Sequence, residues 1–79
     1  MHITAEQVFE VIKKSDITSV NPATLKANLP LRAQGVDSLE TATLFFNLED
    51  TFKVVIPHTD YERLKSVDDI VDYLNKLPG

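Results

Sequence analysis

The 79-residue sequence contains no cysteine, and only two glycines. Without cysteine there is no thiolate nucleophile, no disulfide and no zinc-finger spacing. No run approaches the roughly 18 consecutive apolar residues of a membrane span, and Met1 to Val8 lacks a charged region followed by an apolar one. A soluble, cytoplasmic protein with no membrane span is expected. No metal cluster, glycine-rich phosphate loop or pair of catalytic carboxylates can be assembled, and the acidic residues lack the ligand spacing of a calcium loop. What remains is a chain with 43% hydrophobic residues and no low-complexity run, which should fold as a single domain, residues 1–79. It lies near the lower size at which a core is self-sufficient without disulfides or metal, and a monomer is expected.

The formal charge is −4, and its distribution is uneven. Residues 1–36 hold three acids against four bases, and residues 63–79 hold three against three. Residues 37–62 hold Asp37, Glu40, Glu49, Asp50, Asp60 and Glu62 against Lys53 alone. Nucleic-acid binding would need clustered Lys and Arg, so the distribution argues against a nucleic-acid partner and for partners with basic patches.

The most informative stretch is Gly35 to Pro57, a turn, a serine, a long helix and a stop. Gly35 supplies a backbone position free of Cβ constraint, Asp37 suits the N-cap, and Glu40 falls where its side chain reaches back to the cap. Ser38 is then the first or second residue of the helix, where free N–H groups and the positive end of the macrodipole favour a phosphate ester. At about 100° per residue, Leu44, Phe45, Leu48 and Phe52 gather on one side of the helix, with Leu39, Ala42 and Phe46 nearly opposite. One stripe suffices for a core. The second, rimmed by Glu40, Glu49 and Asp50, is expected to be partly exposed as a docking surface beside the serine.

On either side, Thr4 and Gln7 make a capping box with Ile3 and Val8 as the staple, so a first helix should run to about Lys14, burying Val8, Val11 and Ile12 with Ala5 and Phe9. Asp16 to Val36 is a long connection with one short helical turn begun at Asn21-Pro22, pinned by Val20, Leu25, Leu29 and Leu31. The long helix should end near Phe52 or Lys53. Val54-Val55-Ile56 is β-rich, but a lone short strand has nothing to pair with and Pro57 closes it. Thr59 with Glu62 suggests a capping box for a short helix from Asp60 to about Leu64. Ser66 opens a last helix with Val67, Ile70, Val71, Leu74 and Leu77 inward, stopped by Pro78-Gly79. The expected fold is all-α, a small four-helix bundle of three longer helices and one short one.

With Gly35-Val36-Asp37-Ser38-Leu39 at the start of the long helix, the chain resembles the acyl carrier protein family. The resemblance extends through Leu48-Glu49-Asp50-Thr51-Phe52, Val55-Ile56-Pro57 and the ending Ser66-Val67 to Asp72-Tyr73-Leu74, and so covers nearly all of the chain. It implies that Ser38 is esterified by 4′-phosphopantetheine, donated from coenzyme A by a separate phosphopantetheinyl transferase. The arm's thiol would carry acyl groups as thioesters in fatty acid or related lipid or polyketide biosynthesis. The carrier would catalyse nothing itself, and its partners would be acyl-loading and acyl-processing enzymes with basic docking patches. Thr43, Phe46, His58 and the Leu29 to Gln34 approach depart from the family's usual pattern. A peptidyl or aminoacyl carrier is the nearest alternative, although that subfamily more often shows Gly-Gly before His-Ser or Asp-Ser, which Gln34-Gly35-Val36-Asp37 lacks. An unmodified helical interaction module, with Ser38 only structural, is the other.

Simpler readings stand beside these. A serine at a helix start is most often only a capping-region residue, and the second stripe could be covered by the long loop. Gly-Val-Asp-Ser-Leu also brushes against the Gly-Asp-Ser-Leu hydrolases, but that chemistry needs an activating base, and only His2 and His58 are available. His58 is expected to be a loop residue, and Tyr61 and Tyr73 to sit at the core edge.

Overall fold

Capping boxes set where the helices begin. In a computed structural model that describes residues 2–77, the chain forms α1 (Ala5–Lys14), α2 (Ser38–Phe52) and α3 (Val67–Lys76), with shorter 3-10 segments at Pro22–Thr24, Arg32–Gln34 and His58–Arg63. The described residues are helical or irregular, with no strand, and His58–Arg63 supplies the short fourth helix. Thr4 caps α1 with Gln7, Asp37 caps α2 with Glu40, and Ser66 caps α3 with Asp69, each pair satisfying the other's free amides. The stop expected at Pro78-Gly79 lies outside the described residues.

The helical periodicity then selects the core. Val8, Val11 and Ile12 of α1, Leu44, Phe45 and Leu48 of α2, and Val67, Ile70 and Leu74 of α3 are all buried. The first helix packs on both of the others. Ile3 ties the chain's start to α3, since its N–H donates to Asn75 Oδ1 at 2.6 Å and its carbonyl accepts from Asn75 Nδ2 at 2.9 Å. Buried Ser15 donates to the Val11 carbonyl at 2.6 Å and accepts from Asn47 Nδ2 at 2.9 Å, joining the end of α1 to α2 with no buried side-chain polar atom left unpaired among the described residues.

The connection between α1 and α2 is pinned as expected by Leu25 and Leu31, with Val20 partly buried, but Leu29 is 42% exposed and is not a pin. The Gln34 side chain explains this. Its amide accepts from Lys26 N–H at 2.7 Å and donates to the Lys26 and Leu29 carbonyls at 3.0 Å each, closing a turn that leaves Leu29 outside. Ile17 and Val36 take up the pinning role instead. The connection holds two 3-10 turns where one was expected. It is stitched to the second half of the chain by Leu31 N–H to the Lys65 carbonyl at 2.7 Å and by Asp68 N–H to the Ala27 carbonyl at 3.0 Å.

After α2, Lys53 adopts a left-handed conformation (φ 56°) and turns the chain out of the helix. Val55 is exposed and Ile56 buried, and the Ile56 N–H donates to the Glu49 carboxylate at 2.9 Å, which anchors the segment without a strand partner. The short helix begins at His58 rather than Asp60, and the Thr59–Glu62 capping box does not form. Pro57 explains the difference: its carbonyl accepts from Asp60 N–H at 2.9 Å, so the turn closes before Thr59 can act as a cap. Phe45 and Tyr61 (ring centroids 4.6 Å apart, 60° between planes) and a Tyr73 hydroxyl to Asp60 bond of 2.6 Å hold this segment to α2 and α3. That bond, with burial and the Asp60 charge, pushes the Tyr73 hydroxyl up to about 12.

Two substitutions separate the caps that form from the one that does not. Thr4→Ala should cost about 1 kcal/mol in urea unfolding, whereas Thr59→Ala should stay within about 0.5 kcal/mol of wild type. Comparable losses would mean that Thr59 caps the short helix after all.

Candidate functional site

The start of α2 is built from the turn inward. Gly35 ends the 3-10 turn at φ 107°, a conformation that side chains with a Cβ rarely adopt, while the space around it is ordinary, the nearest contact to an added Cβ being Val20 at 3.8 Å. Buried Val36 anchors the next residue. Asp37 Oδ1 then accepts from the Glu40 N–H at 2.8 Å, and Glu40 Oε1 accepts from the Asp37 N–H at 3.2 Å. Ser38 follows as the first helical residue, exposed, its hydroxyl free of hydrogen bonds among the described residues and beside the unpaired amides of the first turn.

Glu40 does more than close the capping box. Its other oxygen, Oε2, accepts from the backbone N–H of Thr18 at 2.7 Å and of Ser19 at 3.1 Å, which holds the connecting loop against the start of α2. Ser19 Oγ also reaches Asp37 Oδ2 at 3.4 Å. Partial desolvation raises the affinity of the Glu40 carboxyl for a proton, but hydrogen bonds from Ser19, Thr18 and Asp37 outweigh it and bring the carboxyl down to about 2.

The second stripe of α2 is not covered by the loop: Leu39 is 79% exposed, Phe46 68%, and Ala42 is exposed with them. Its expected acidic rim is divided. Glu40 and Glu49 spend carboxylate oxygens on backbone amides of the two flanking segments, and Asp50 is exposed to solvent. Gly35, Asp37, Ser38 and Leu39 thus cluster at one end of α2, with Glu49 and Asp50 toward the other.

Beside Ser38 opens a groove of about 670 Å³. Thr41, Ala42 and Phe45 of α2 line it on one side with Ser38, and the 30–32 and 61–65 segments complete it. Arg32, Arg63 and Lys65 are among its lining residues and had no local signal, because their convergence depends on the Leu31–Lys65 backbone bond across more than thirty residues of sequence. The Glu40 contact with Thr18 and Ser19 was missed for the same reason. It spans 22 and 21 positions. Among the described residues no group of His, Cys, Asp and Glu could hold a metal ion, and no helix is long and apolar enough to cross a membrane.

Comparison with known proteins fits this arrangement. Residues 6–74 match the family described as the phosphopantetheine attachment site. An acyl carrier protein of Campylobacter curvus is 40% identical over 60 residues, 75% of this chain and 78% of that protein. One from Campylobacter concisus is 38% identical over the same shares. Among solved structures, a chain in the crystal structure of an engineered Bradyrhizobium japonicum glycine:[carrier protein] ligase complexed with a carrier protein from Agrobacterium tumefaciens and ATP superposes with a TM-score of 0.79. It covers 92% of this chain and 97% of that one at 19% identity, a likeness of fold. With its helical bundle and a serine opening α2, the chain belongs to the phosphopantetheine-attachment family of acyl carrier proteins, which carry 4′-phosphopantetheine covalently.

The Glu40 clamp has a pH signature. A carboxyl lowered to about 2 in the fold from an ordinary 4.5 binds fewer protons folded than unfolded, so its stabilisation is present above pH 4.5 and is lost as the pH falls toward 2. Glu40→Gln should lower stability at neutral pH and flatten this loss, so that the acid-unfolding curves of variant and wild type converge near pH 2. Parallel curves would show that the carboxylate is not held as described.

Proposed function

We propose that the chain is an acyl carrier domain in fatty acid or related lipid or polyketide biosynthesis, with Ser38 as the attachment residue of its 4′-phosphopantetheine. The observation that carries this is the placement of an exposed, unbonded serine hydroxyl at the first position of α2, immediately after the Asp37 cap and at the mouth of a groove. The residues present fit the group: the first-turn amides and the helix dipole favour a phosphate ester there, and no side chain blocks the hydroxyl. When attached, the arm supplies the thiol that this cysteine-free sequence lacks. Asp37 and Glu40 hold the helix start rigid, Gly35 permits the turn, and the chain itself catalyses nothing.

Its partners in this reading are a phosphopantetheinyl transferase and enzymes that load and process the acyl group, working in the cytoplasm. They dock on Leu39, Ala42 and Phe46, an apolar strip with no partner within the described chain, and the net charge of −4 favours basic surfaces. Asp50 is the acid of the rim free to meet them. Glu40 and Glu49 contribute chiefly by holding the loops that frame the strip.

Incubation with coenzyme A and a broad-specificity transferase should add one phosphopantetheine mass to the wild type and none to Ser38→Ala, whose stability should fall by less than about 1 kcal/mol because Asp37 is the cap. A mass gain on the alanine variant would overturn the assignment, and no gain on wild type would favour the unmodified interaction module. For the docking strip, Phe46→Ala should leave stability within about 0.5 kcal/mol and slow loading about fivefold or more. Unchanged loading would remove Phe46 from the contact surface.

A further inference from the structure

The groove beside Ser38 carries a charge opposite to that of the helix it adjoins. Its floor is apolar, formed by Leu31, Phe45 and Leu64, all buried, while its exposed rim holds Arg32, Arg63 and Lys65 against Glu62 as the acid. In a chain with eight Lys and Arg and twelve Asp and Glu, this gathering of bases runs against the overall balance. The salt bridges among the described residues are Lys13–Glu10 and Lys76–Asp72, so none of the three rim bases has a carboxylate partner. The segments that carry them are joined by the backbone, because the Leu31 N–H to Lys65 carbonyl bond of 2.7 Å brings the Arg32 segment alongside the Lys65 segment.

We propose that this groove selects the cargo: an acyl group with an apolar body and a terminal carboxylate lies along the floor, with Arg32, Arg63 and Lys65 meeting the carboxylate. The inference rests on Ser38 carrying the arm, since Ser38 itself lines the groove and an arm anchored there can fold back to lay its cargo in it. A wholly apolar cargo would use the floor and leave the three cations without a partner. A short polar cargo would leave the floor unfilled. A volume of about 670 Å³ falls within the range of roughly 300–1,000 Å³ for small-molecule sites. The arm's own phosphodiester is the other possible anion, but it would be bonded to Ser38 on α2, and the bases all come from the facing 30–32 and 61–65 segments.

Two cargoes of equal length isolate the carboxylate. The chain is loaded by transferase from octanoyl-coenzyme A or octanedioyl-coenzyme A, with each product verified by intact mass, and hydroxylamine cleavage of the thioester is followed alongside the backbone amide shifts of Leu31, Leu64 and Lys65. The octanedioyl thioester should be cleaved about threefold or more slowly than the octanoyl one, as a few partly screened ion pairs allow. It should also shift those amides, and both differences should vanish in Arg32→Gln/Arg63→Gln/Lys65→Gln. The double variant Arg32→Gln/Lys65→Gln, which leaves Arg63 near Tyr73 untouched, should reduce both in part, with circular dichroism showing either variant folded. Equal cleavage rates in the wild type, or a difference that survives removal of the bases, would overturn the proposal. So would shifts that appear on adding the unacylated arm and do not grow with octanedioyl cargo, because the bases would then hold the phosphate. Failure to gain mass from either coenzyme A ester would instead overturn the carrier reading from which the proposal starts.

Discussion

The carboxylate of Glu40 is the interaction on which the geometry of this protein most depends. One oxygen closes the capping box with Asp37 and the other takes the backbone amides of Thr18 and Ser19, so a single side chain fixes both the beginning of α2 and the loop that passes beside it. A capping carboxylate alone stabilises one helix end. By bridging to a loop more than twenty residues away, this one also sets the surroundings of Ser38. Glu49 repeats the arrangement at the other end of the helix through the Ile56 amide. The two acids at the ends of α2 are therefore structural brackets as well as surface charge.

Between those brackets, α2 divides its labour by face. Leu44, Phe45 and Leu48 fill the core, where α1 packs on α2, while Leu39, Ala42 and Phe46 stay in water. A small domain normally avoids exposing two large apolar side chains on one helix face, because their transfer from water would contribute to stability if a neighbour covered them. Here the neighbouring loop is held at its own distance by Leu25, Leu31, Ile17 and Val36, and it does not fold over the strip. Exposure of the strip and anchoring of the loop are two consequences of the same packing.

The third wall of the site comes from a short helical segment and the residues that follow it. His58–Arg63 is a 3-10 segment with no side-chain cap, held by Tyr61 against Phe45 and by Tyr73 through Asp60. Its role is to present Tyr61 to Lys65 toward the groove.

Local chemistry determined most of the fold. Thr4–Gln7, Asp37–Glu40 and Ser66 each announce a helix start because capping is an interaction between residues three apart, and periodicity then sorts Val8, Leu44, Phe45, Leu48, Ile70 and Leu74 inward. The sequence by itself thus determined an all-helical bundle with Ser38 opening its longest helix, and the resemblance of the Asp37-Ser38-Leu39 stretch pointed to the family. The Thr59–Glu62 pattern misled because Pro57 closes a turn first, and Leu29 because Gln34 folds its segment the other way. Only the tertiary structure decided that Glu40 and Glu49 turn to the loops, that Leu39 and Phe46 remain exposed, and that Arg32, Arg63 and Lys65 meet around one groove. Each of these depends on contacts between residues far apart in the chain, whose geometry is set by the closing of the core and leaves no trace in the spacing of neighbouring residues.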